Sequence, residues 1–319
     1  MAATPRTGFR RSLDPLYDYL DTEIPLGMLR SFDVIWVHSG TGVDDVNHGD
    51  FDTPLATLDY AVGRCTANRG SRIMLKEGHA ETYTAAGGAA LDVAGIHVIG
   101  LGRGPLRPTF SLGTVASTSI TVSAANVTVR NCRFLATVAD VVTAFDITAA
   151  GFCAIANEFG DSAINLNLLS AFNCTSTTDG NANGFTAIGN SFLSQDAATL
   201  GFVIFTADVL KVTIEDNTIV SEGTGLATIF TVLTNKDIRM CSVRRNVLSS
   251  KATAGNLGFS NDTASPNNSG IIADNYIGHA DVTGTHTLGV VGGCRMFNNL
   301  SVSTDALSGF VIPAIDVDL

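Results

Sequence analysis

Seven carboxylate side chains lie in a stretch of the sequence that contains no lysine or arginine. The stretch runs from Phe134 to Leu210, and its acidic residues are Asp140, Asp146, Glu158, Asp161, Asp179, Asp196 and Asp208. Two carboxylates that face a gap of roughly 5 to 9.5 Å can hydrolyse a glycosidic bond. Five of the seven are therefore candidates for a glycan-cleaving pair, namely Glu158, Asp161, Asp179, Asp196 and Asp208.

The candidate carboxylates could instead be solvated acids in a flexible loop. A polysaccharide lyase site fits the sequence less well. The inserted segment at 175–184 is rich in Ser, Asn and Gly, which is typical of a flexible loop with solvated acids. A polysaccharide lyase needs a basic proton abstractor beside a calcium-held uronate, and the middle of the chain lacks bases. Gly78-His79-Ala80 is only part of a polygalacturonase-like pattern. We assign no catalytic residue, and the sequence favours a non-enzymatic protein without deciding the question.

Metal and cofactor patterns are equally incomplete. Asp44, Asp45, Asn47 and Asp50 could supply oxygen ligands, but their spacing departs from the calcium-binding loop and favours an Asx-rich turn. The six histidines are scattered, with His279 and His286 the nearest pair in the second half. Gly100 to Gly104 lacks the remainder of a phosphate-binding motif and is typical of a bend. We predict no metal site and no cofactor.

Cysteines and composition limit the class of protein. The cysteines show no CxxC or Cys/His spacing, which favours free, buried thiols; they are Cys65, Cys132, Cys153, Cys174, Cys241 and Cys294. Only 15% of residues are charged, against roughly a quarter in ordinary domains, and the net charge is −11. An acidic, weakly charged surface disfavours nucleic acid. It is explained either by coverage with other subunits or by a coat of Thr, Ser and Asn.

The elements that must position these residues come from a repeat. An asparagine is followed two residues later by a large apolar residue in six segments, at intervals of 23 to 33 residues; the asparagines are Asn157, Asn190, Asn217, Asn246, Asn275 and Asn298. Cys132 occupies the asparagine position of a seventh copy. A period of about 20 to 50 residues indicates a stacked array. With three short strands per copy, the array is a solenoid whose coils pair in parallel.

Alignment of the coils on this repeat predicts which side chains stack. The asparagines should form an amide ladder. The apolar residues should point inward as one column, made of Phe134, Phe159, Phe192, Ile219, Leu248, Ile277 and Leu300. The residues before the asparagine include Asp216, Arg245 and Asp274, so these two aspartates are predicted to be structural partners of Arg245.

The first third of the chain has a different pattern. Residues 1–30 contain four arginines, aromatic residues and three prolines, and they predict an extended attachment arm. Residues 32–37, 72–75 and 96–102 are β-branched or apolar runs typical of strands. Residues 54–68 have apolar residues at helical spacing after Thr53-Pro54, and they predict one capping helix with Thr53 as its N-cap.

The strand segments together resemble a known family. They are Val34 to Gly42, Thr53 to Ala61, Arg72 to His79, Ile96 to Gly102 and repeats such as Ile214-Glu-Asp-Asn-Thr-Ile. From 31 to about 302 the chain resembles the right-handed parallel β-helix proteins of the pectate-lyase-like superfamily, and most closely the bacteriophage virion proteins with that fold. The resemblance implies a homotrimer with an N-terminal segment docked on the particle.

We therefore expect an all-β protein: a single-stranded right-handed parallel β-helix with one N-terminal capping helix and an extended arm. Its parts would be the arm at 1–30, a cap region at 31–110, the β-helix at 111–303 and a C-terminal cap or tail at 304–319. The expected function is a structural virion protein, a capsid decoration, spike or fibre attached to capsid or tail proteins through 1–30. The alternative is a tailspike that binds or cleaves a host surface glycan.

The expected location is the virion, assembled in the host cytoplasm. The first residues, Met1-Ala-Ala-Thr-Pro-Arg, lack the basic and apolar pattern of a secretion signal. No apolar run approaches the roughly 18 residues of a membrane helix. We expect no membrane partner and no nucleic-acid partner.

Overall fold

The fold was described from a computed structural model of the full chain. The structure describes residues 33–163, 166–175, 178–195, 200–222, 228–233, 236–251, 258–260, 267–279, 291–303 and 310–312. The predicted arm at 1–30 lies outside the described residues, as do Asp196, His286 and all but 310–312 of the predicted tail.

Short strands make up almost all of the regular structure. The elements in chain order are β1 Val34–Val37, α1 Leu58–Gly63, β2 Arg72–Leu75, β3 Ala80–Tyr83, β4 Ala90–Leu91, β5 His97–Gly100, a 3-10 turn Gly104–Leu106, β6 Thr109–Leu112, β7 Ile120–Val122, β8 Thr128–Arg130, β9 Arg133–Ala136, β10 Phe145–Ile147, β11 Cys153–Ile155, β12 Glu158–Asp161, β13 Ser170–Cys174, β14 Thr186–Ile188, β15 Ser191–Ser194, β16 Gly201–Phe205, β17 Val209–Leu210, β18 Thr213–Glu215, β19 Thr218–Ser221, β20 Thr228–Val232, β21 Ile238–Arg239, β22 Cys241–Arg244, β23 Val247–Ser250, β24 Gly258–Ser260, β25 Gly270–Ala273, β26 Tyr276–His279, β27 Cys294–Phe297, β28 Asn299–Ser303 and β29 Phe310–Ile312.

Three parallel sheets run along a β-solenoid. Sheet A has the order β1-β2-β5-β8-β11-β14-β18-β22-β25-β27, sheet B the order β3-β6-β9-β12-β15-β19-β23-β26-β28-β29, and sheet C the order β4-β7-β10-β13-β16-β20-β24. The described pairs in these sheets are parallel except the last in sheet B, where β29 lies antiparallel to β28. At ~4.8 Å per strand, the ten strands of sheet A extend over roughly 43 Å. The prediction of a parallel all-β solenoid is confirmed. Among the residues that the structure describes, no helix could cross a membrane.

A column of aromatic residues fills the centre of the solenoid. Phe110, Phe134, Phe159 and Phe192 follow one another in register in sheet B, and Ile219, Leu248 and Ile277 continue the same column. All seven are at most 2% exposed. Phe172 of sheet C closes the core from the other side, and its ring contacts those of Phe145, Phe159, Phe185 and Phe202. The inward column is thus confirmed from Phe134 to Ile277.

The asparagine ladder forms at the bend between sheets A and B. Its members are Asn157, Asn190, Asn217, Asn246, Asn275 and Asn299, each at most 1% exposed. From Asn157 to Asn275, each Nδ2 donates to the Oδ1 of the asparagine in the next coil at 2.8 to 3.2 Å, and the backbone N–H of the same asparagine donates to that same oxygen. Each Nδ2 also donates to a backbone carbonyl of sheet A, as Asn217 does to Ala187. The ladder therefore satisfies buried donors and acceptors that the bend leaves outside the strand pairing.

The last member of the ladder corrects the predicted register. Asn299 occupies the position predicted for Asn298, and Leu300 pairs with the exposed Tyr276 instead of joining the inward column. The residue before each ladder position has a left-handed backbone, with φ between 52° and 64° from Asn131 to Asn298. Asparagine tolerates that conformation far better than a bulky aromatic residue. With Asn298 in the ladder, Phe297 would have to adopt it, which explains the shift by one residue.

The predicted charge ladder forms on one side only. The Arg245 guanidinium bonds Asp216 at 2.7 Å and Glu215 at 2.8 Å, and it holds the pKa of Asp216 below its ordinary value. Asp274 instead accepts a hydrogen bond from the amide of Asn298 at 3.3 Å. The prediction for Asp216 is confirmed, and the described contacts of Arg245 do not include Asp274.

The helix is shorter than the predicted 54–68 and begins later. Leu55 is extended and bonds the backbone of β1, because its N–H donates to Trp36 and its carbonyl accepts from His38. Thr57, not Thr53, is the N-cap, and its side chain accepts from the N–H of Tyr60. The start of the predicted helix is therefore extended, because Leu55 pairs with β1. Helix α1 buries Leu58, Ala61 and Val62. Its role as a cap is a proposal.

The cysteines are free, as predicted. Cys132, Cys174, Cys241 and Cys294 are buried, whereas Cys65 and Cys153 are partly exposed. Burial raises the pKa of Cys65 to about 11 and that of Cys132 to about 12. Both thiols are therefore protonated at neutral pH.

Candidate functional site

A cleft of about 820 Å³ lies on the outer face of sheet A near the start of the solenoid. Its wall is the segment that follows β5, which leaves the sheet and forms the 3-10 turn Gly104–Leu106. The amide of Asn131 donates to the carbonyls of Gly100 at 2.8 Å and Gly102 at 3.1 Å, and the N–H of Gly78 donates to Leu106. These bonds tie the wall to the neighbouring coils.

Gly102 is required for this path. Its φ is +89°, and a Cβ at this position would lie 2.6 Å from the carbonyl oxygen of Leu106. The predicted bend over Gly100 to Gly104 is confirmed, but its enclosure of a cleft was not predicted.

The floor of the cleft is apolar and its rim is basic. Met74, Ile99 and Leu101 form an outward-facing apolar cluster with Trp36, whose ring packs edge-on against Phe51 at 4.9 Å. Trp36 is buried in this cluster and is not a free platform for stacking. The side chains of Arg103, Arg107 and Arg130 line the rim together with Glu77 and Asn131.

One carboxylate fixes two arginines beside the cleft. Glu158 bonds Arg107 at 3.0 Å and Arg133 at 2.7 Å. The Nε of Arg107 is buried and has no hydrogen-bond acceptor among the described residues. Arg103 is exposed at the mouth. An apolar floor lined by three arginines fits an anionic ligand, because guanidinium binds carboxylate and phosphate oxygens.

The candidate carboxylates of the base-free stretch have structural contacts. Asp161 accepts the N–H groups of Leu168 at 3.1 Å and Gln195 at 2.6 Å. Asp179 accepts the N–H of Asp208 and the ammonium of Lys236, and these bonds lower its pKa. A glycosidase acid needs a raised pKa, so Asp179 is unsuited to that role.

The inserted loop is also tied to the solenoid where it is described. Asp208 accepts the N–H of Asp237, and Asn183 accepts the N–H of Leu210. These bonds, like the one between Asp179 and Asp208, join successive coils. Each of Glu158, Asp161, Asp179 and Asp208 therefore holds a backbone N–H group or a basic side chain, which is a structural role.

The other candidates are placed in turns. Asp44 accepts the backbone N–H groups of Ala56 and Thr57, and Asp45 accepts the N–H of Asn47 and bonds His48 at 2.7 Å. The Asx-rich turn is confirmed. Among the described residues, no three His, Cys, Asp or Glu side chains meet as a metal site. The side chain of His279 is outside the described part.

The sequence did not predict that His79 and Glu81 form a buried pair. His79 is fully buried; its Nδ1 accepts the N–H of Ser39 at 3.0 Å and its Nε2 bonds Glu81 at 2.7 Å. Since Nδ1 is an acceptor, the proton lies on Nε2 and points to the carboxylate. Glu81 also accepts the N–H of Leu58 at the start of α1. The pair anchors the helix to the first coils and is structural.

An uncharged strip covers the outer face of sheet B. It consists of the outward residues of β15, β19, β23 and β26, which are Ser191, Leu193, Thr218, Val220, Val247, Ser249, Tyr276 and Gly278. Leu193 is 38% exposed, and Val247 and Tyr276 are each 41% exposed.

Ion pairs flank the uncharged strip on both long edges. Arg245 bonds Asp216 and Glu215 on one side, and Lys251 bonds Glu222 at 2.6 Å on the other. An uncharged centre with a charged rim is the composition of a protein interface.

Comparisons with known proteins give no relative. No protein-family model, no curated protein and no solved structure matches the chain.

Proposed function

We propose that the chain is a structural protein of a bacteriophage particle, a homotrimeric capsid decoration, spike or fibre that is attached through residues 1–30. In this proposal the solenoid is a right-handed parallel β-helix of the pectate-lyase-like type, the hand that parallel crossover connections almost always take. Its location is the virion, after assembly in the host cytoplasm.

The uncharged strip on sheet B is the observation that carries the proposal. A monomer has no need for four successive strands without a charged outward residue, since charged side chains protect exposed sheet faces from association. Three copies around an axis parallel to the solenoid would bury the strip and leave its ion pairs at the rim.

The ladder and the aromatic column support a mechanical role. Six buried asparagines and seven stacked apolar residues link every coil from β6 to β28 to the next one. Such continuous packing resists bending and local opening, because each coil is bonded on both sides. A projecting virion component requires this rigidity.

Removal of residues 2–30 tests attachment. We expect the shortened chain to keep its strand-rich circular dichroism spectrum and its trimeric mass, since the three sheets and the uncharged strip are built from residues after 33. It should no longer cosediment with phage particles that bind the full chain. Unchanged cosedimentation would refute the attachment role of the arm.

A second candidate function is binding of an acidic glycan or another polyanion at the arginine-lined cleft. The observation in its favour is that Arg103, Arg107 and Arg130 all line one cleft with an apolar floor, in a chain of net charge −11. On this account the chain would be a glycan-binding or glycan-cleaving spike. Incubation with host surface polysaccharide, followed by assay for reducing ends and unsaturated uronate, distinguishes binding from cleavage.

Arg103→Ala tests the cleft with little structural cost, because Arg103 is exposed at its mouth. If the cleft binds acidic oligosaccharides, the variant should bind them about tenfold more weakly, as expected for the loss of one charge-assisted contact. Arg69→Ala is the matched control, an exposed arginine outside the cleft. Calorimetric titration of both variants with a uronate oligosaccharide decides the matter; equal affinities would exclude Arg103 from the site.

A further inference from the structure

Two buried thiols meet in the core although their strands are two coils apart. Cys241 is the first residue of β22, Gly270 the first of β25 and Cys294 the first of β27, and the three are in register. The two Sγ atoms are 3.7 Å apart. Cys241 and Cys294 are 3% and 5% exposed.

Gly270 is the reason that the sulfur atoms can meet. A Cβ on this residue would lie 2.7 Å from the Sγ of Cys241 and 2.3 Å from its carbonyl oxygen. Its φ of +138° also disfavours other residue types. The middle rung of the column therefore has no side chain, and the thiols from the rungs on either side occupy the space.

The spacing of the backbones opposes a disulfide. Two strand spacings place the Cα atoms of Cys241 and Cys294 roughly 9.6 Å apart. Disulfides join Cα atoms about 4.4 to 6.8 Å apart. The sulfur atoms can touch, but a bond of about 2 Å between them would require the backbone of β22 or β27 to move.

A metal ion between the sulfur atoms fits this spacing. Metal–thiolate bonds are about 2.3 Å long, so a linear ion needs sulfur atoms about 4.6 Å apart. The thiols would have to separate by less than ~1 Å from their present 3.7 Å. Zinc requires four ligands, and the described residues supply no third His, Cys, Asp or Glu here. Soft ions accept two thiolates.

We propose that Cys241 and Cys294 form a two-coordinate binding site for a soft, thiophilic metal ion. Each thiol releases one proton to solvent and forms one sulfur–metal bond. With mercury(II) the complex of two thiolates is neutral, which suits a core position without a compensating charge. The site links β22 to β27 across β25 and stabilises the last described coils.

Mercury(II) titration of the full chain tests the site. Cys65 and Cys153 are partly exposed and would bind mercury singly, so the parent protein carries Cys65→Ser and Cys153→Ser. We expect one mercury per chain after desalting and a loss of two thiols per ion, counted after unfolding. X-ray absorption should give two sulfur neighbours and no nitrogen or oxygen neighbour.

Serine variants of the pair supply the decisive comparison. In competition with glutathione, Cys241→Ser or Cys294→Ser should bind mercury at least 100-fold more weakly than the parent. Cys174→Ser is the matched control, since Cys174 is equally buried without a described thiol partner, and its affinity should equal that of the parent. Parental affinity in either pair variant would overturn the proposal, as would a Cys241–Cys294 disulfide formed by oxidation of the folded protein.

Discussion

Replacement of Asn217 by alanine is expected to lower the free energy of unfolding by about 4 kcal/mol, because it breaks the ladder in its middle. The Oδ1 of Asn217 accepts two hydrogen bonds from Asn190, and its Nδ2 donates to Ala187 and Asn246. All four bonds are buried. Each unpaired buried group costs about 1 to 3 kcal/mol. Water cannot replace the lost partner at a fully buried position.

Denaturant unfolding followed by circular dichroism, at one protein concentration, measures this loss. Asn298→Ala and Asn299→Ala form a matched pair of controls in adjacent positions. Asn298 is exposed, and its replacement should lower the free energy of unfolding by only about 1 kcal/mol, the cost of alanine at a φ of 53°. Asn299 bonds both Asn275 and Ile272, so its loss should resemble that of Asn217. The reverse order would refute the register of the last coil.

Val247→Asp is expected to convert the proposed trimer into folded monomers. Val247 lies in the middle of the uncharged strip and is 41% exposed in the single chain, so an aspartate there is solvated when the chain is alone. In a trimer the same carboxylate would be buried without a partner, which costs far more than the contact contributes. The mass measured by light scattering should fall about threefold, while the circular dichroism spectrum is unchanged.

Val115→Asp is the control for this substitution. Val115 is 45% exposed and lies between β6 and β7, outside sheet B, so its replacement should leave the mass unchanged. A trimer that persists in Val247→Asp would show that another face holds the copies together. Dissociation by both variants would show that the effect is not specific to the strip.

The fold could be predicted from the sequence because the same physical need recurs in every coil. A bend between two strands leaves backbone groups unpaired, and an asparagine at the same place in each coil satisfies them, so the repeat of Asn190, Asn217 and Asn246 is visible as a period. The apolar residue two positions later is visible for the same reason. These features depend on local chain geometry and on the stacking of similar side chains at equivalent positions of successive coils.

The predicted register was wrong in the last coil, where two asparagines are adjacent. Asn298 and Asn299 can each fill the ladder, and Leu300, two places after Asn298, favoured the wrong choice. The residue with the left-handed backbone determines which asparagine joins the ladder. It must be Asn298 if Phe297 is to remain in its strand, so Asn299 takes the ladder position. The signal was present in the earlier coils, where Gly189 and Asp216 precede the asparagine.

The cleft and the helix depend on contacts that the sequence does not reveal. The segment after β5 follows its path because Asn131 and Gly78, distant in sequence, bond it. A clue existed in Arg103, Arg107, Arg130 and Arg133, four bases close together in a base-poor chain. Thr53-Pro54 is a good start for a helix, but pairing of Leu55 with β1 overrides the local preference.

The mass of the unmodified chain in solution tests the central claim most directly. A chain of 33.2 kDa that assembles as a trimer should have a mass of about 100 kDa by sedimentation equilibrium. We predict that value over a wide range of concentrations. A mass of one chain throughout that range would contradict the proposed trimer and leave the uncharged strip without a function.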